Sequence, residues 1–207
     1  MTSSTHRNRR PRRTQASRRE ESERRLLEAL TQIIAEQGVS AATFESVAGR
    51  AGFSRGLASQ KFGSKDGMTR ALIARLDAWR RATLAEHHTD TLTGREAIET
   101  YVQLNFDELV DMPEFRAYFS LAGGAAAEGG DLRAAFAEAH GNARDLLAGF
   151  IRRGQEDGSI NKSVSVEPTA LILGSLLLGA AIHSLLDPDA DLAAMKAAAI
   201  DLIERGL

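Results

Sequence analysis

The sequence predicts an all-α protein, with a three-helix N-terminal unit containing a helix-turn-helix and a body of longer helices behind it. Three observations carry this expectation. Ala, Leu, Glu and Arg abound while Pro is limited to 4, and these abundant residues lose little entropy in a helix. Aromatic residues are only 5%, and no convincing run of alternating β-branched residues is present. Apolar positions recur at helical spacing, separated by capping residues and glycines. The 43% hydrophobic fraction is ample for a buried core.

Residues 1–17 are polar and Arg-rich, running His6-Arg7-Asn8-Arg9-Arg10-Pro11-Arg12-Arg13. Nothing there could offset the entropy of ordering, so they are expected to form a disordered basic arm. The first helix should run from Ser17 to Gln37, on the stripe Leu26, Leu30, Ile33, Ile34, with Gly38 as a left-handed stop. Thr43 reads as the N-cap of a short helix carrying Phe44, Val47 and Ala48, which Gly52 breaks. Ser54 caps a second short helix ending at Phe62-Gly63. Ser64 caps a long one from Lys65 to His87. Thr93-Gly94-Arg95-Glu96 is a capping box opening a helix to Val110. Pro113 starts another, to Leu121. Gly123-Gly124 and Gly129-Gly130 read as a flexible link, and Asp131 as the cap of a helix ending between Gly154 and Gly158. Pro168 begins an apolar helix to Leu186, and Asp187-Pro188 opens the last, to Arg205. The chain thus divides into an arm (1–17), a helix-turn-helix unit (18–66) and a helical body (67–207).

The net charge of −2 hides an asymmetry. Residues 1–75 hold 15 Lys and Arg against 7 Asp and Glu, a net of +8, and residues 76–207 hold 11 against 21, a net of −10. The positive excess extends past the arm into sequence expected to fold. An N-terminal unit facing a polyanion follows, with a body that does not. With no cysteine, disulfides and thiolate metal sites are excluded, which is compatible with a reducing cytoplasm. The N-terminus lacks the apolar core of a secretion signal. The apolar stretch Ala170–Leu186 is interrupted by Ser175, His183 and Ser184, so a core helix is expected rather than a membrane span.

The run Thr43-Phe44-Glu45-Ser46-Val47-Ala48-Gly49-Arg50-Ala51-Gly52-Phe53-Ser54-Arg55-Gly56 suits two short helices joined by a tight turn. Val47 and Ala48 would face the shared core, Ala51 would permit close approach, and Phe53 would plug the gap. An ordinary helical hairpin would use the same residues. The continuation Phe62-Gly63-Ser64-Lys65-Asp66-Gly67-Met68 resembles the Phe-Gly-Ser-Lys-Glu/Asp signature of the TetR family of transcriptional regulators. Ala48, Ala51-Gly52, Ser54 and Gly56 match upstream, so the likeness covers residues 22–75. It implies a DNA-binding unit of three helices, a helical body that binds a small effector, and homodimerisation through the last two helices. The chain departs from the family where an aromatic commonly precedes His-Phe at the end of the recognition helix. Here the stretch reads Leu57-Ala58-Ser59-Gln60-Lys61-Phe62, so the family's aromatic phosphate contact is not carried over, and Gln60 or Lys61 is the candidate substitute.

The expected partner is double-stranded DNA carrying a palindromic operator. Ser54, Arg55, Gly56, Leu57, Ser59, Gln60 and Lys61 lie on a helix about two turns long that can enter a major groove. Arg55 suits guanine and Gln60 suits adenine. Thr43 and Lys65 sit at helix N-termini, where phosphate is favoured. In the body no Gly-rich phosphate loop, His-Glu-x-x-His metal motif or Ser-His-acid set is recognisable, so no enzyme, cofactor or metal is expected. The adjacent His87 and His88 point about 100° apart and suit a solvated helix end. Trp79, Phe106, Phe115, Tyr118, Phe119, Phe136, His140 and Phe150 are the candidates for contact with a small, largely apolar effector, or they simply fill the core. His183, on an apolar helix, reads as an interface residue. The alternative function is a DNA-binding regulator controlled by a protein partner or by no effector.

Overall fold

The computed structural model describes residues 15–207. Residues 1–14, most of the expected arm, lie outside the described residues. Among the described residues the protein is all helical: α1 (Gln15–Gln37), α2 (Phe44–Ala51), α3 (Arg55–Phe62), α4 (Lys65–Glu86), α5 (Gly94–Asp111), α6 (Pro113–Glu128), α7 (Gly130–Asp157), α8 (Val166–Leu186) and α9 (Leu192–Gly206). Gln15, Ala16 and Ser17, placed in the arm from sequence, begin α1.

Most boundaries follow the capping chemistry. The Thr43 hydroxyl accepts the Ser46 N–H at 3.1 Å, and Ser46 Oγ accepts the Thr43 N–H at 3.0 Å, closing a reciprocal cap on α2. Ser54 Oγ accepts the Leu57 N–H and Ser64 Oγ the Gly67 N–H, opening α3 and α4. Thr93 and Glu96 form the expected capping box. Gly52 ends α2 in the left-handed region at φ 73° and ψ 32°, a conformation that costs glycine nothing.

Five boundaries differ from the sequence expectation. Gly38 has positive φ but extended ψ (82°, 171°), so it leads into a 3-10 turn at Val39–Ala41 instead of a left-handed cap. Helix α6 runs through Gly123-Gly124 to Glu128. Both glycines face solvent while Ala122 and Ala125 bury, and that packing offsets the helix penalty of about 1 kcal/mol per glycine. The break falls at Gly129-Gly130, both at positive φ, and α7 starts without a side-chain cap from Asp131. Helix α8 starts at Val166, two residues before Pro168, and Asp187 is spent on a local turn to the Asp189 N–H. Asp191 is therefore the cap of α9, accepting the Ala194 N–H at 2.9 Å.

Two cores hold the helices. The first joins Leu26, Leu30, Ile33, Val47, Ala58, Met68 and Leu72 of α1–α4 to Phe115, Phe119 and Phe136 of α6 and α7. It runs without a break across residue 66. The second gathers Ile98, Val102, Phe106, Leu147, Ile151, Leu173 and Ile203 from α5, α7, α8 and α9. At its base α5 and α7 touch through backbone. A Cβ on Gly94 would lie 2.1 Å from Gly154 N and 2.3 Å from the Phe150 carbonyl oxygen. Helix α8 is the one described helix long and apolar enough to cross a membrane, yet Ala170, Leu173, Leu177, Ala180 and Ala181 pack inward as core residues. Its other side leaves Ile172 at 65% and Leu186 at 79% exposure.

Candidate nucleic-acid interface and ligand cavity

Helix α3 is pinned at its back and open at its front. Ala58 is fully buried, Leu57 and Phe62 are half-buried, and Arg55, Gly56, Ser59 and Gln60 are exposed. Residues i, i+1, i+4 and i+5 of a helix share one face. The open face therefore carries a five-donor guanidinium, an amide, a hydroxyl and a glycine that permits close approach. Arg55 has no partner among the described residues, so its guanidinium is available. The remaining predicted contacts are placed differently. The hydroxyls of Thr43 and Ser54 are engaged as helix caps at exposed positions. Lys65 Nζ donates to the Val39 carbonyl at 3.0 Å. Lys61 turns away from the open face and lies 3.0 Å from Glu23 Oε2, donating also to the Arg19 carbonyl at 2.8 Å.

Sequence reasoning missed what fixes the turn. Arg25 of α1 donates to the Ala51 carbonyl at 2.6 Å and lies over the Phe53 ring at 4.8 Å. A Cβ on Gly52 would come within 3.2 Å of that guanidinium. Arg25 thereby clamps the α2–α3 turn to α1. A further pair, Arg50 to Glu36 at 2.7 Å, ties the end of α2 to the end of α1.

Helix α4 starts one residue after Ser64 and reaches the second feature, a cavity of about 420 Å³ walled by α4, α5, α6, α7 and α8. That volume falls in the range of roughly 300–1,000 Å³ of small-molecule pockets. Ile73, Leu76, Asp77, Arg80, Arg81 and Leu84 of α4 line it, a stripe at helical spacing. The 22 residues of α4 extend about 33 Å, so one continuous helix leads from the end of α3 to the cavity. Of the eight sequence candidates, Phe115, Tyr118, Phe119 and His140 line the wall. Trp79 lies off it, edge-on to Phe115 at 5.6 Å, and Phe106, Phe136 and Phe150 are buried in the two cores.

The polar heart of the cavity is Arg80, which no sequence signal marked. Its Nη2 donates to Glu108 Oε2 at 2.6 Å, and Glu108 is 5% exposed. Burial pushes the Glu108 carboxyl up to about 7, opposed by the Arg80 charge. Burial drives the Tyr118 hydroxyl up to about 12. Burial, with Arg80 nearby, lowers the His140 imidazole. Among the described residues no group of three or more His, Asp or Glu could hold a metal ion. His87 and His88 are exposed at the end of α4, and His183 is exposed on the outer side of α8.

Residues 26–72 match the family described as bacterial regulatory proteins of the tetR family, and residues 94–207 match the BetI-type transcriptional repressor C-terminal domain. Among curated proteins none matches the chain. Solved structures share the fold. A TetR-family transcriptional regulator from Rhodococcus sp. is 23% identical with a TM-score of 0.75, covering 90% of this chain and 98% of the other. The regulator FadR from Bacillus subtilis in complex with stearoyl-CoA is 17% identical, TM-score 0.76, over 89% and 98%. A regulator from Saccharomonospora viridis in complex with choline is 20% identical, TM-score 0.78, over 90% and 97%.

Proposed function

The chain belongs to the tetR family of bacterial regulatory proteins, with a BetI-type repressor C-terminal domain, and from this premise we propose that it grips a palindromic operator as a homodimer and releases it when a small, largely apolar molecule enters the cavity beside α4. DNA binding through the helix-turn-helix and repression come with the family, whose members are not enzymes. The finer reading rests on one observation above all: α4 runs unbroken from just after the end of α3 to the cavity wall.

In this reading Arg55 and Gln60 contact base edges, with Ser59 and Gly56 beside them. Thr43, Ser54 and Lys65 position the protein on phosphates. Leu57 and Lys61 support the helix from behind. Residues 18–66 serve the DNA, and residues 67–207 serve effector and dimer, with α4 passing from one to the other. Phe115, Tyr118, Phe119 and His140 meet the effector, while Trp79, Phe106, Phe136 and Phe150 back the wall. The uncovered sides of α8 and α9, with Ile172, Leu186 and Leu202 exposed, supply the two-fold interface, and a two-fold dimer calls for a two-fold operator. The protein acts in the cytoplasm, where its DNA lies. The arm adds affinity through phosphates or a minor groove.

The effector acts by holding a spacing of the two reading heads that DNA does not accept. DNA must then weaken effector binding by the same factor, ordinarily 5- to 150-fold for about 1–3 kcal/mol of coupling. Footprinting of the DNA upstream of the gene tests this, with and without cavity ligands found by thermal shift. Protection that a cavity ligand lifts is the expected result. Protection that every such ligand leaves intact would assign the body to dimerisation or to a protein partner.

A further inference from the structure

Three aromatic rings stand around the polar end of the cavity, an arrangement that would suit a cationic ligand. A cation is already there. The Arg80 guanidinium carbon lies 4.9 Å from the Phe115 ring centroid and 5.4 Å from that of Tyr101, and Tyr118 lines the same space. We propose that the cavity takes an amphiphile with a carboxylate head, seated on Arg80, and rejects one with a cationic head. This rests on the cavity being the effector site.

Charge and hydrogen bonding decide the sign. Of the five N–H groups of a guanidinium, one of those on Arg80 is engaged, by Glu108. The others have no protein partner among the described residues, and Arg80 lines the cavity. Glu108 stands behind the wall and not on it. Asp77 is the one carboxylate among the lining residues, and Arg81 holds it. Arg144, also on the wall, pairs with Asp145. Burial, and then the charge on Arg80, shifts His140 toward its neutral form. An entering ammonium would thus meet a guanidinium whose one acid partner, Glu108, stands off the wall, and no free acid on the wall itself. An entering carboxylate would find a forked donor set and could accept two parallel hydrogen bonds. Behind the head, Ile73, Leu76, Leu84, Leu146 and Leu177 offer apolar walls for a tail. The head would sit on α4 itself, the helix that carries α3.

Decanoate, 1-decanol and decyltrimethylammonium share one tail and differ in the head. Each is titrated below micelle formation into the full-length protein by calorimetry. Wild type, Arg80→Gln and Ala143→Trp are compared, the last narrowing the cavity. Decanoate should bind about ten-fold or more tighter than either congener, a difference of about 1.4 kcal/mol. Arg80→Gln should bring decanoate level with decanol, and Ala143→Trp should weaken all binding. Should Arg80→Gln not fold, Arg80→Gln with Glu108→Gln removes both buried charges and must lose the same preference. Tightest binding by the ammonium, or a decanoate preference that survives loss of Arg80, overturns the proposal. Binding of decanol and the ammonium that Ala143→Trp weakens, without decanoate binding, overturns the head-group assignment and leaves the effector cavity standing. No binding by any of the three, or indifference to Ala143→Trp, removes both.

Discussion

Arg80 Nη2 lies 2.6 Å from Glu108 Oε2, fastening α4 to α5 beside the cavity. Burial raises the Glu108 carboxyl from 4.5 to about 7, with Arg80 pulling the other way. The folded protein therefore holds this proton more tightly than the unfolded chain. Its contribution to stability is complete below the unfolded value and is lost as pH rises through about 7. Urea unfolding of the wild type should weaken from pH 4.5 to 7 by at most about 1.4 kcal/mol per unit from this group. Glu108→Gln should flatten that part of the profile. Superimposable profiles would mean that Glu108 is ionised in both states.

The α5–α7 contact leaves no room for a side chain. A methyl on Gly94 meets backbone atoms of α7 within 2.4 Å, so the helices must separate. Gly94→Ala should cost at least the roughly 1–3 kcal/mol typical of overpacking. At Gly154 the nearest atoms belong to the Ile160 side chain, which can move, so Gly154→Ala should cost less. Chemical denaturation of the two variants gives the order, and a reversed order would contradict the close approach.

Lys61, a candidate for DNA contact, reaches from α3 to Glu23 and the Arg19 carbonyl of α1. As a strut its loss should reduce operator affinity without changing the number of phosphates neutralised. A phosphate contact would instead lower the salt slope by about 1. Fluorescence anisotropy across salt should give Lys61→Gln a wild-type slope, and Glu23→Gln the same loss of affinity. A reduced slope for Lys61→Gln would return the residue to the DNA face.

The dimer interface should lie on the outer side of α8. Its sequence gives Leu171, Ile172, Leu176, Leu178, Ala181, Ile182 and Leu185 as apolar surface, without saying which side is outer. Ala181 is fully buried and Leu178 lines the cavity, whereas Ile172 is 65% exposed. Ile172→Arg should therefore break the dimer by burying an unpaired charge, with the monomer fold retained by circular dichroism. Sedimentation at wild-type mass would place the interface elsewhere.

How much of this was legible in the sequence depends on range. Caps and turns are local, and Thr43, Gly52, Ser54, Ser64 and Thr93 could each be read from a few neighbours. Asp187-Pro188 carries the local signal for the last helix start, yet Asp187 caps a turn to Asp189 and Asp191 caps α9. The glycines of α6 read as a break because the burial of Ala122 and Ala125 is a tertiary fact. Long-range pairs left no trace in spacing. Arg25 with Ala51, Lys61 with Glu23 and Arg80 with Glu108 are 26, 38 and 28 residues apart. The aromatic candidates split for the same reason: Phe115 and Phe119 reach the cavity while Phe106, Phe136 and Phe150 turn into the cores.

Selection from random duplex DNA with the full-length protein, run in parallel with Arg55→Ala, tests the central claim most directly. The account predicts one enriched inverted repeat for the wild type. It also predicts that Arg55→Ala keeps the repeat but relaxes one position in each half-site, at about 1–3 kcal/mol if the contact is bidentate. No enriched sequence, or an identical motif from both proteins, would contradict reading by the open face of α3.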